Sequence, residues 1–150
     1  LWWNMIDCWP LFSDSVVDYY FGKKLSYHYI KRVLSPFCIM CTEPEAWSSQ
    51  VVAVNDSSEY AQGTFTVECE GQILLQGDFK LSPGSCMKLG ELPSLRNSNA
   101  LWLIRWNNQG VTGVNHYISG NNIVDYHWYC NALPKIAALD NSFESEKVGC

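Results

Sequence analysis

The chain has 150 residues, of which 47% are hydrophobic and 17% charged, a composition that packs a core and lies far from the polar mixtures that stay disordered. Fifteen acidic against ten basic residues give a net charge of −5, with no basic run longer than Lys31-Arg32. A row of phosphates would find nothing to neutralise it, so nucleic acid is excluded as a partner. No stretch approaches the roughly 18 consecutive apolar residues that span a bilayer, and no membrane partner is expected.

The first eight residues are apolar apart from Asn4 and Asp7, the pattern of a strand buried on both faces that emerges at a polar tip, as in a parallel barrel. The start has neither a basic region nor a small-residue cleavage site, so it does not read as a signal peptide, and the segment looks cut from something longer. Beyond a loop through Pro10 to Gly22, Lys23 to Leu34 predicts an amphipathic helix with Leu25, Tyr29 and Val33 on its apolar face. Ser35-Pro36 ends it, because the residue before a proline is pushed out of the α region.

From Pro36 the apolar period becomes two. Phe37–Cys41 reads as a first strand and Gln50–Asn55 as a second, closed by Asn55-Asp56-Ser57-Ser58. Thr64–Glu70 alternates, with Phe65, Val67 and Cys69 inward. Glu70-Gly71-Gln72 turns the chain into Ile73–Leu81, and Pro83-Gly84 turns it into Cys86–Leu89. Leu101–Trp106 is apolar on both faces except at Arg105 and should be a central strand. Asn107-Asn108-Gln109-Gly110 then signals a hairpin into Val111–Ile118. About seven strands in this span are what an immunoglobulin-like antiparallel β-sandwich requires. Past Gly120, Asp125 is placed to cap a short helix with Tyr126, Tyr129, Cys130 and Leu133 on one face, until Pro134 interrupts it. The polar tail from Asp140 to Cys150 is expected to fray.

Seven cysteines, an odd number without regular spacing, read as reduced thiols in a cytoplasm rather than a disulfide scaffold. Cys38 and Cys41 lie three apart on a strand and so point to opposite faces, which argues against a shared metal. No metal motif and no cofactor fingerprint is present. His28 and His116 read as structural histidines and His127 as solvent-facing, and no Ser-His-Asp constellation supports acyl transfer.

The most informative stretch is Leu1-Trp2-Trp3-Asn4-Met5-Ile6-Asp7-Cys8-Trp9-Pro10. It resembles the eighth barrel strand of family 2 glycoside hydrolases of the β-mannosidase type, in which an aromatic, a Trp, an amide, an Asp and a Trp-Pro follow in order. Here Asn4 stands for the commoner Gln, and Ile6 for the commoner Asn. Ser15-Val16-Val17-Asp18-Tyr19-Tyr20-Phe21-Gly22-Lys23-Lys24 and Tyr27-His28-Tyr29 continue the resemblance. Asn115-His116-Tyr117 and Asp125-x-x-Trp128-Tyr129 extend it to about residue 134.

The resemblance implies three parts: the last strand and helix of an upstream (β/α)8 barrel over 1–35, the sandwich over 36–120, and a short helix with a frayed tail over 121–150. It implies a partner in the upstream barrel of the same polypeptide, carbohydrate bound through the parent active site, and a possible homo-oligomer. Trp3 would then lie at the C-terminal end of a barrel strand, where this fold builds its sites, and offer an indole face and N–H to a sugar. Asp7 is placed to accept from a sugar hydroxyl or to orient a neighbouring Arg or His, with a structural loop contact as the alternative. Trp9 borders the pocket or packs beneath the loop.

Retaining glycosidases of this kind use two glutamates roughly 5 Å apart. Both are expected on earlier strands, so this chain alone should be inactive. The alternative is a carbohydrate-binding or protein-interaction sandwich without activity, with Trp47, Trp102 and Trp106 as a stacking platform. The spacing of Trp102, Ile104 and Trp106 reads more as core. Trp2, Trp3, Met5 and Ile6 are expected to seek cover by self-association through residues 1–34.

Overall fold

A computed structural model describes residues 4–11, 13–94, 98–120 and 124–139. Its first regular element is the helix α1, Leu25–Val33, followed by the strands β1 Phe37–Cys41, β2 Ser48–Asn55, β3 Ala61–Cys69, β4 Gln72–Leu81, β5 Ser85–Pro93, β6 Ala100–Asn108 and β7 Val111–Ser119, and by the helix α2, Tyr126–Ala137. The strands form two antiparallel sheets, in the orders β1-β2-β5 and β4-β3-β6-β7. Two facing antiparallel sheets of seven strands are the architecture of an immunoglobulin-like sandwich, here with β4 on the β3-β6-β7 sheet instead of beside β5.

Local sequence explains most of this. In β2 the side chains of Ser49, Val51, Ala53 and Asn55 are buried while their neighbours are half-buried, the period of two that a central strand of a packed sheet requires. The β3–β4 and β6–β7 connections are two-residue turns, Glu70-Gly71 at φ 51° and 81° and Gln109-Gly110 at 51° and 89°. Positive φ at both positions gives the turn whose twist matches its strands, and glycine takes the second at no steric cost. The β1–β2 connection also has two positive φ values, at Ala46 and Trp47, a turn that no Gly or Asn announces.

The core lies between the sheets. Ile39, Val51 and Ala53 face Phe65, Val67, Phe79, Trp102 and Ile104, and the Phe37 ring stacks on Phe79 at 4.9 Å. Trp102 is only 2% exposed, and Trp106 packs against the same cluster, so neither is available as a stacking platform with the exposed Trp47. β6 lies between β3 and β7, the central position its apolar sequence predicts. Asn55 closes β2 from within, its Nδ2 donating to Glu59 O at 2.8 Å and Ser82 O at 3.0 Å and its Oδ1 accepting from Ser57 Oγ at 2.7 Å.

Three expectations are corrected. The strand expected over the first eight residues is reduced, among those described, to a single parallel bridge, Ile6 to Val17, with Asn4, Met5, Ile6 and Cys8 exposed. A strand buried on both faces needs neighbours on both edges, and within this chain only the Val17 segment is at hand. α1 turns inward the stripe Leu25, His28, Tyr29 and Arg32, whereas Val33 is exposed. The stripe has helical spacing but meets polar partners, so hydrophobicity does not reveal it. α2 runs through Pro134 to Ala137. Its inner stripe is Tyr129, Ala132, Leu133 and Ile136 against Leu101, Leu103 and Ile118, leaving Tyr126 exposed. Proline removes one helical hydrogen bond, but burial of Ile136 and Leu139 holds the last turn. As predicted, Asp125 caps the helix, its Oδ1 accepting from Trp128 N at 2.8 Å. The tail expectation, 140–150, lies outside the described residues.

Candidate functional site

Two polar clusters gather the residues of the motif-bearing segments. The first is built on the loop from Met5 to Lys24. Its backbone is pinned where Val17 N donates to Met5 O and Asp7 N to Val17 O, both at 3.0 Å, and where Lys24 N donates to Val16 O at 3.0 Å. The turn between them is organised by Asp18, whose Oδ1 accepts from Tyr20 N and Gly22 N, each at 2.8 Å, the side-chain turn geometry Asp favours.

These pins bring Lys24 to Asp7. The Lys24 ammonium lies 3.1 Å from Asp7 Oδ2 and donates to Ser13 O at 3.1 Å and Ser15 Oγ at 2.9 Å. Ser13 Oγ donates to Asp7 Oδ1, and Ser15 Oγ donates to Val17 O at 2.9 Å. The Ser13 hydroxyl, followed by Ser15 and the Lys24 ammonium, holds the Asp7 carboxyl below the usual carboxylate range against the opposing pull of burial. Asp7 is therefore a carboxylate tied into its own loop by Ser13 and Lys24.

Trp9 stands two residues away and is 69% exposed. In the same segment Met5, Ile6, Leu11, Tyr19, Tyr20 and Phe21 are also exposed, an apolar fringe on the loop that holds the part-buried Asp7–Lys24 ion pair. Trp3 lies outside the described residues, so of the three expected sugar-binding side chains only Asp7 and Trp9 are placed, the first inward and the second outward.

The second cluster joins α1, β7 and α2. His116, 8% exposed, is bracketed by Tyr29 Oη at 2.7 Å from its Nε2 and Arg32 Nη1 at 2.8 Å from its Nδ1. Arg32 only donates, so Nδ1 accepts, Nε2 carries the proton, and the ring is neutral. Burial, reinforced by the Arg32 charge, pushes the His116 pKa down to about 3. Tyr29 Oη reaches Tyr129 Oη at 3.4 Å, and burial first, then this tyrosine, drives the Tyr29 hydroxyl pKa upward. Asn115 Nδ2 donates to Ile39 O at 3.0 Å, tying β7 to β1. Cys38 is buried here while Cys41 packs on the inter-sheet core, and burial pushes their thiols up to about 11 and about 12.

The Tyr-His-Tyr, Asn-His-Tyr and Trp-Tyr motifs thus meet as one docking joint, and the Ser-to-Lys motif is the cradle of Asp7. Ser15 and Lys24 are marked in the sequence only by membership of these motifs, and Ser13 and Arg32 lie outside them and carry no signal.

No family model matches the chain. β-Mannosidase B of Thermothelomyces thermophilus is 48% identical over 40 residues, 27% of this chain and 5% of that protein. β-Mannosidase B of Aspergillus niger is 34% identical over 61 residues, 40% of this chain and 7% of that protein, and β-mannosidase B of Emericella nidulans matches with the same identity and coverage. Among solved structures, the β-D-mannosidase of Dictyoglomus thermophilum superposes with a TM-score of 0.62 and 25% identity, covering 78% of this chain and 15% of that one. The chain spans between a twentieth and a sixth of the length of these relatives. Over that part of their length the chain is thus similar to β-mannosidases in both sequence and fold.

Proposed function

We propose that the chain is the C-terminal accessory part of a retaining β-glycosidase of family 2, acting on β-linked mannosides, with the two catalytic glutamates supplied by a preceding barrel. The observation that carries this reading is the agreement of two comparisons, one in sequence and one in fold, on β-mannosidases. On this reading 1–35 completes the barrel, 36–120 is the bracing sandwich, and 121–150 packs back on it. Trp3 and Trp9 border the sugar site. Asp7 holds the loop that carries them, through Ser13 and Lys24. The exposed apolar side chains of the Trp9 segment support the reading, because a domain that stands alone seldom leaves so many uncovered in one short segment.

The test is to read the gene upstream of Leu1 and to assay the longest product against an aryl β-mannoside. An in-frame βα-repeat region with two strand-end glutamates, and hydrolysis by that product but not by the 150-residue chain, is the expected result. A start codon or secretion signal immediately before Leu1 would overturn it. In the active product Asp7→Asn lowers kcat/KM roughly tenfold or more by loosening the Trp9 loop, since small misplacements of positioning groups are costly. It also destabilises the chain above pH 4, where the carboxylate would have been charged and paired.

A further inference from the structure

A cavity of about 380 Å³, lined by none of the residues of either cluster, lies between α2, the outer face of β6 and the β3–β4 turn. Its size falls within the range of small-ligand sites. Its floor is apolar, with Leu101 and Ala132 buried. Trp128, Asn131, Ala132 and Lys135 enter it from α2 at the i, i+3, i+4, i+7 spacing of one helix face. Glu70 and Asn99 stand in the opposite wall.

The chemistry of this wall is selective. A half-buried indole gives a flat face for the C–H side of a ring and one N–H donor. Asn131 presents both a donor and an acceptor, and Asn99, whose Oδ1 is buried, adds its amide N–H, together the pairing a vicinal diol needs. Glu70 and Lys135 carry opposite charges, so the site has no net charge with which to hold a phosphate or a metal cation. We propose that this cavity is a second carbohydrate subsite, taking a neutral pyranose ring that stacks on Trp128 and is hydrogen-bonded by Asn131 and Asn99. It does not depend on the proposed barrel, since every wall residue named belongs to the sandwich or to α2.

The test titrates the ¹⁵N-labelled 150-residue chain with D-mannose and with β-1,4-mannobiose, and separately with glycine and inorganic phosphate. The expected result is saturable shifts of the Trp128 indole N–H and the Asn131 side-chain amide, with Kd on the order of 1 mM. Asn131→Ala and Lys135→Gln change exposed side chains and leave the spectrum dispersed. Asn131→Ala weakens binding roughly tenfold, as the loss of one well-placed hydrogen bond does. Shifts confined to residues 5–21, equal shifts with glycine or phosphate, no saturable response, or undiminished binding by Asn131→Ala would each overturn it. Because binding rather than hydrolysis is read, a failure of the glycosidase assignment leaves this result interpretable.

Discussion

His116 is the residue on which the docking of α1 depends. Its ordinary pKa near 6.5 is lowered to about 3 because the ring is buried and faces Arg32, while Tyr29 and, behind it, Tyr129 complete its surroundings. The folded chain therefore binds fewer protons than the unfolded chain between those values. Stability is complete above about pH 6.5 and is lost as pH falls toward 3, by on the order of a few kcal/mol. Urea midpoints measured from pH 7 to pH 4 should fall in the wild type. In His116→Gln, which lacks this imidazole, the slope should be shallower, and an identical slope in the two proteins would remove His116 as the cause.

At the scale of elements, the tightest joint is between β3 and β6. A Cβ added at Gly63 would come 1.7 Å from Asn107 O, a backbone atom held in register by the Gly63–Asn108 and Thr64–Asn107 pairs. Gly63→Ala should cost about 3 kcal/mol or more, since neither strand can yield without breaking the ladder. Asp125→Ala, by contrast, removes one cap at an exposed helix end and should cost about 1 kcal/mol. Chemical denaturation of the two variants gives the ratio directly. A Gly63→Ala variant no less stable than Asp125→Ala would contradict the close approach of these strands.

For the whole molecule, the decisive feature is asymmetry. One part is a sandwich with an apolar core, whereas the segment from Met5 to Phe21 exposes Met5, Ile6, Trp9, Leu11, Tyr20 and Phe21 and is held by the Asp7–Lys24 ion pair. Apolar surface of this kind drives association when its cover is missing. Sedimentation velocity of the chain should show concentration-dependent self-association, reduced in the double variant Tyr20→Ser and Phe21→Asn. Asn suits position 21, where φ is +66°, because its short polar side chain tolerates the left-handed region. A chain monomeric at every concentration would mean that the fringe is not sticky.

The sequence by itself determined the sandwich. Alternation in Thr64–Glu70 and Gln50–Asn55 and the turns at Glu70-Gly71 and Gln109-Gly110 are local signals, set by the pleat of one strand and the φ of two residues, and the structure contains them. It also carried the β-mannosidase resemblance in short motifs. What only the tertiary structure decided is what those motifs hold. Asp7 finds Lys24 17 residues on, and His116 finds Arg32 and Tyr29 84 and 87 residues away, distances over which no periodicity constrains a pairing. The inward faces of α1 and α2 were misread for the same reason. A helix stripe is chosen by what it meets, and α1 meets the imidazole and strand edge of β7, where polar side chains are the ones that fit.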